Sequence, residues 1–183
     1  MSKSSRRRSR PVLPIALVLV ASLAAAALQW GPYSNAGSAS AGKPVTVRQC
    51  TVHSVHDGDS MRAHCPGFRK TLRIRLDQID APEINQAWGT RSRDYLRSLC
   101  PLRSPVKIHD LGPDRYGRTL ARVFCQGKDV NAAMVAAGAA WVYDHYADDE
   151  ALYRLQADAR KARRGLWAAS KVVRPWEFRR NNR

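Results

Sequence analysis

Val55-His56-Asp57-Gly58-Asp59-Ser60 joins two extended runs, Val45 to Val55 and Ser60 to about Cys65. Asp57-Gly58 signals a two-residue hairpin turn, because both central positions of such a turn need positive φ. Working outward, Pro66-Gly67 makes a second turn. Leu72-Arg73-Ile74-Arg75-Leu76 then alternates, with an apolar face and a face carrying two arginines. Ile79-Asp80-Ala81-Pro82-Glu83 reads as an irregular exit loop, with Pro82 holding Ala81 extended. Residues 86–99 read as a helix with Trp88, Tyr95, Leu96 and Leu99 on one face, stopped by Pro101. Val106–Ile108 and Leu120–Phe124 are strands flanking the turn Asp114-Arg115-Tyr116-Gly117-Arg118. A helix is expected from Val130 to Ala137, closed by Gly138. Trp141-Val142-Tyr143 is extended. A last helix opens at Asp148-Asp149-Glu150, with Leu152, Leu155, Ala159 and Ala162 as its stripe, and ends at Gly165; Leu166-Trp167 packs back as an anchor. The pattern predicts an α+β fold, a small five-stranded barrel with about three helices.

The hairpin also orders the cysteines. Cys50, Cys65, Cys100 and Cys125 contain no Cys-x-x-Cys pair, which argues against zinc. Three pairings are possible in principle. With Asp57-Gly58 at the centre of the turn, Cys50 and Cys65 are equally far from it and face each other at a hydrogen-bonded position, Cα atoms about 5.5 Å apart. A bulge between turn and cysteines would alter that geometry. Cys100 and Cys125 are then left for each other; four buried thiols are the alternative.

The chain has 183 residues, 44% apolar, enough for one domain with a substantial core. Its formal net charge is +16, with +5 in residues 1–10, +4 in the basic tail 171–183 and +7 in between. Such a surface attracts polyanions, although solubility or a membrane surface would explain it as well. Residues 1–10 form a basic n-region. Residues 11–29 contain the apolar run Val12 to Leu28, a signal or membrane-anchor helix. Residues 30–43 are a small-residue linker, and 44–170 the folded domain. Positive charge before the apolar run places the domain outside the cytoplasm, periplasmic or otherwise exported, tethered to the inner membrane if the helix is not cleaved. A monomer is expected.

Three clusters carry candidate chemistry: Asp57-Gly58-Asp59; Arg75 with Asp80 and Glu83; and Asp114-Arg115-Tyr116-Gly117-Arg118. Each alone is weak, since aspartates are common turn formers and Arg75 could simply pair with Asp80. Together they supply hard oxygen ligands that suit calcium, two arginines that suit a phosphate, and a glutamate that suits activation of water. In order and spacing, Val55–Ser60, Arg75–Glu83 and Asp114–Arg118 resemble the staphylococcal nuclease (thermonuclease-like) family, over roughly residues 46–168. The resemblance implies an OB-type five-stranded barrel with three helices and hydrolysis of DNA or RNA phosphodiesters to products ending in 3′-phosphate. By position it implies Ca2+ held by Asp59, Asp80 and the Ala81 carbonyl, with Asp57 a carboxylate near the metal. Arg75 and Arg118 match the phosphate-binding arginines and Glu83 the general base. Arg115 sits at the mouth of the site, and Trp141 and Tyr143 fall where aromatics meet the nucleotide. Ser60 and Ala81 replace threonines common in the family, keeping a hydroxyl and a carbonyl respectively.

Two other classes of function compete: a non-catalytic OB-type module holding single-stranded nucleic acid or an exported protein, and a membrane-tethered structural domain. The intact set Arg75, Glu83 and Arg118 argues against both. His56 is read as a solvated turn residue, His145-Tyr146 as a polar loop, and Asp148-Asp149-Glu150 as an ordinary first helical turn. Trp88, Tyr95 and Trp167 are read as core.

Overall fold

The computed structural model describes residues 45–182. The n-region, the apolar run of 11–29 and the linker 30–43 lie outside the described residues. In chain order the elements are β1 (Thr46–Val55), β2 (Ser60–His64), β3 (Leu72–Leu76), β4 (Ile79–Asp80), α1 (Gly89–Leu99), β5 (Pro105–Pro113), β6 (Thr119–Cys125), β7 (Lys128–Asp129), α2 (Val130–Ala136), β8 (Trp141–Val142), α3 (Glu150–Lys161), a 3₁₀ turn (Gly165–Ala168) and α4 (Pro175–Asn181). The sheet runs β3-β2-β1-β5-β6, and a parallel pairing of β3 with β6 closes it into a five-stranded barrel. A separate two-stranded ladder pairs β4 with β8. The expected α+β barrel is present, with a fourth helix within the stretch 171–183 that reads as a tail.

Alternation of apolar and polar residues puts Val52, Met61, Ala63, Ile74, Ile108 and Val123 inside the barrel. Its open end is plugged by Val130, Met134 and Val135 of α2, backed by Leu96 of α1 and Leu152 and Ala159 of α3. Each fully buried side chain of this size contributes roughly 1.5–3 kcal/mol. The β3–β6 junction is short, and buried Asn131 completes it. Its Oδ1 accepts the Val123 N–H at 3.1 Å, and its Nδ2 donates to the carbonyls of Asp77 at 2.9 Å and Ala121 at 3.2 Å. Asp129 and Asp149 cap α2 and α3 by accepting from Ala132 N and Ala151 N, and Arg122 binds both caps to β6.

Several boundaries moved. α1 starts at Gly89 because residues 83–88 form turns, with Trp88 in the left-handed region at φ 73°. β5 extends to Pro113 past an irregularity at Asp110–Gly112, where polar residues hide the alternation. Ala162, expected on the α3 stripe, is exposed at the helix end, and buried Gln156 accepts from Val142 N on that helix instead.

The first hairpin is closed differently from the expectation. His56 N–H donates to Ser60 O at 3.1 Å, so the loop holds three residues, Asp57 to Asp59. A bulge at His53 then takes up one residue of β1, which restores Val52↔Ala63 and Thr51↔His64 and brings Cys50 opposite Cys65. The bulge also changes the pairing type. The Cα atoms lie 4.4 Å apart, the spacing of a non-hydrogen-bonded pair rather than the expected one. Cys50–Cys65 and Cys100–Cys125 are both disulfides, the second with Cα atoms 5.4 Å apart. Peptide mapping without reductant is expected to recover these two links, and reducing either should lower stability by about 2–4 kcal/mol in chemical denaturation. Four free thiols in protein from an oxidising compartment would contradict this.

Candidate active site

The site lies at one end of the barrel, where the 57–59 loop, β3, β4 and the Asp114–Arg118 turn converge. Asp57, Asp59, Arg75, Asp80, Glu83, Arg115, Arg118 and Tyr143 all line one cleft of about 980 Å³. Ala81, next to Asp80 in the chain, is buried and is not among the residues lining the cleft.

Each position has a local cause. Asp57 organises its own loop: Oδ1 accepts Asp59 N at 3.0 Å and Oδ2 accepts the Ser60 hydroxyl at 2.7 Å. Asp59 is thereby turned inward, where its Oδ2 accepts Ala81 N at 2.6 Å. The loop can approach because residue 58 is glycine; a Cβ there would overlap Ser92 Oγ and lie 2.6 Å from the Ala81 Cβ. Glu83 is placed in a related way. The turn Glu83–Gly89 packs so that any Cβ on Gly89 would strike the Glu83 carbonyl. Buried Gln86 accepts Glu83 N at 3.2 Å and donates to Val173 O at 2.8 Å, which ties the glutamate's backbone to the C-terminal segment.

Arg75 is buried, whereas Arg73 on the same strand face is exposed. Arg75 Nη1 donates to the carbonyls of Leu76 at 2.8 Å and Ile79 at 2.7 Å. Its Nη2 donates to Asp80 Oδ1 at 2.8 Å and lies 3.2 Å from Asp59 Oδ2. Two buried carboxylates thus share one guanidinium. Burial pushes the Asp59 carboxyl well above the usual carboxylate range; Arg75 opposes this, while Asp57 and Asp80 add to it. A cation between Asp59 and Asp80 would relieve that repulsion. The donors fit calcium, being hard oxygens from two carboxylates and a backbone carbonyl. Among the described residues no three His, Cys, Asp or Glu side chains converge as a complete metal cage.

Arg118 is aimed by Asp114, whose Oδ2 accepts from its Nε and Nη2, both at 2.8 Å, while Oδ1 accepts the backbone N–H groups of Tyr116 and Arg118. Burial would raise the pKa of Asp114, but these hydrogen bonds outweigh it and lower it, so it stays anionic beside Arg118. Arg115 stacks on the exposed ring of Tyr116 at 4.9 Å. Tyr143 is held at the cleft by its N–H, which donates to Gln78 O at 2.9 Å.

Trp141 does not reach the cleft, contrary to the expectation that it meets substrate. It shares a strand face with Tyr143, but α4 lies over that face. Its indole is buried against Trp167 at 4.3 Å, Arg160 at 5.0 Å and Trp176 at 5.9 Å. Trp176 stands beside Tyr143, at 5.2 Å, and lines the cleft in its place. Trp88 and Trp167 are half-buried, and Tyr95 packs on the core.

α4 is not apparent from the sequence pattern. Arg179 Nη1 and Nη2 bind Asp80 Oδ1 and Oδ2 at 3.2 and 2.9 Å, and Nη1 also donates to Glu83 Oε1 at 2.7 Å. Burial would lower the Arg179 pKa, but these carboxylates outweigh it and raise it. Nothing in the spacing of the last thirteen residues points to partners so far back in the chain. Trp176 and Phe178, two aromatics within the basic stretch, are the available hint of packing.

Residues 73–169 match the family model described as staphylococcal nuclease homologue. The chain is 44% identical over 129 residues to a protein of Escherichia coli described as an uncharacterized endonuclease, covering 70% of this chain and 82% of that one. It is 37% identical over 134 residues to a similarly described Haemophilus influenzae protein, covering 73% and 74%. It is 40% identical over 123 residues to the micrococcal nuclease of Shigella flexneri, covering 61% and 70%. A closed OB-type barrel carrying this carboxylate and arginine set is the frame of a hydrolytic nuclease, and the chain belongs to the staphylococcal nuclease family.

Gly58→Ala is expected to destabilise the fold by about 1–3 kcal/mol through overpacking against Ser92 and Ala81, and to displace Asp59. Urea denaturation measures the first effect. An unchanged midpoint would mean that the loop does not press on α1.

Proposed function

We propose that the chain is an exported, calcium-dependent nuclease in which Glu83 is the general base and Arg75 and Arg118 bind the scissile phosphate. The observation that carries this is the convergence of Asp59, Arg75, Asp80, Glu83 and Arg118 on one cleft. Asp59, Asp80 and the Ala81 carbonyl would hold calcium, which when bound supplies Lewis-acid neutralisation of the phosphate. Arg118, steadied by Asp114, donates to phosphate oxygens as their charge grows. Arg75 adds a second positive charge from the floor of the cleft. Glu83 takes a proton from water, whose oxygen attacks phosphorus in line with the departing 5′ oxygen. The P–O5′ bond breaks, the 5′ oxygen leaves as a hydroxyl after gaining a proton, and the other product ends in 3′-phosphate. Tyr143 and Arg115 flank the nucleotide. DNA and RNA both offer the required phosphodiester.

Export is supported by the basic and apolar N-terminal sequence and by two disulfides, which persist in oxidising compartments. The apolar run would tether the protein to the membrane if retained; among the described residues no helix is long and apolar enough to cross one. We propose a monomer. Cell fractionation tests the location: recovery only in the cytoplasm would refute export.

Glu83→Gln and Arg118→Ala should each lower turnover on DNA or RNA by at least about a hundredfold while the fold survives, because both act on the transition state. Near-normal activity in either folded variant would overturn the assignment. Asp59→Ala should raise the calcium needed for half-maximal activity, and excess chelator should stop the wild type. Full activity in chelator would rule out a calcium-dependent site.

A further inference from the structure

We propose that Arg179 is an internal cation that competes with calcium for Asp80 and holds Glu83 until the metal displaces it, so that α4 sets the calcium concentration at which the site becomes active. This rests on the reading of Asp59 and Asp80 as the calcium carboxylates. The Asp80 side chain is fully buried and both its oxygens are taken: Oδ1 accepts from Arg75 and Arg179, and Oδ2 accepts from Arg179. A divalent cation would need these same oxygens, and would face a guanidinium of like charge 2.9 Å from one of them. The same guanidinium grips Glu83 Oε1 at 2.7 Å, which blocks the group proposed to take the proton from water. One side chain therefore occupies a metal ligand and the general base together.

The element carrying Arg179 is short and lies at the end of an exposed connection. α4 has seven residues and follows residues 169–174, which have no helix or strand and are mostly exposed. It is fastened by the Gln86–Val173 hydrogen bond, buried Pro175, Trp176 against Trp141, Tyr143 and His145, Arg174 over Trp141, and Arg179 itself. The Arg179 side chain is more than a third exposed, so solvent weakens its ion pairs and a bound divalent ion can replace them. Displacement frees Glu83 as calcium binds, which couples the metal to the base. A closed state that excludes the metal raises the apparent dissociation constant by the inverse of the open fraction.

The test is calcium titration calorimetry on the purified full chain and its Arg179→Gln variant, with activity measured against calcium in parallel. Arg179→Gln is expected to bind calcium at least about tenfold tighter and to reach half-maximal activity at correspondingly lower calcium. Trp176→Ala, which loosens α4 but keeps the guanidinium, should shift both in the same direction by less, and stands in if Arg179→Gln does not fold. Arg179 as a mere structural clamp would lower the melting temperature without tightening calcium. Equal or weaker calcium binding in both variants overturns the proposal while leaving the calcium site intact. Absence of calcium binding in the wild type and both variants overturns the calcium reading itself.

Discussion

The guanidinium of Arg75 donates to the carbonyls of Leu76 and Ile79 with one nitrogen and faces Asp59 and Asp80 with the other. Three pieces of chain are registered against it: the end of β3, the β4 segment and the hairpin loop. Its removal would leave two carboxylates buried without a counter-charge, a change of the kind that costs about 3–5 kcal/mol. The site thus exists because a charge is buried on the end of a strand. The barrel tolerates that because backbone carbonyls and carboxylates satisfy the donors. The same arrangement leaves Asp59 and Asp80 close enough to repel one another.

Around that charge the backbone is packed to contact distance. Gly58 lets the loop touch α1 and Ala81, and Gly89 lets α1 begin against the Glu83 carbonyl. Asp59 and Glu83 are therefore set by close backbone packing, whereas Arg118 is held by its own turn through Asp114 and Arg115 is exposed on the rim. α4 closes the cleft from the other side, covering Trp141 and contributing Trp176 and Arg179.

Much of this was legible in the residues. Alternation in Leu72–Leu76, turn signals at Asp57-Gly58 and Pro66-Gly67, and the three clusters in register point to the barrel, the family and the carboxylates and arginines of the cleft, but not to Trp176 and Arg179, which α4 brings there. The first hairpin departs from its turn signal in two ways that compensate. The loop is one residue longer than Asp57-Gly58 implies, and the His53 bulge removes that residue again, so the cysteines meet for a reason that turn chemistry alone does not contain. β4 and β8 are too short for any period to show. α4 was read as a basic tail because its stability comes from tertiary contacts with Trp141, Tyr143 and two carboxylates close to a hundred positions earlier in the chain, not from an apolar stripe. The misplacement of Trp141 follows from that omission, since α4 is what buries it.

Anomalous diffraction from crystals of the protein grown with and without calcium tests whether Asp59 and Asp80 form a cation site that Arg179 guards. The expected result is an ion between Asp59 Oδ, Asp80 Oδ and the Ala81 carbonyl, with Arg179 withdrawn from Asp80 and Glu83 only in the calcium crystals. An ion bound elsewhere in the cleft, with Arg179 still paired to both carboxylates, would contradict it.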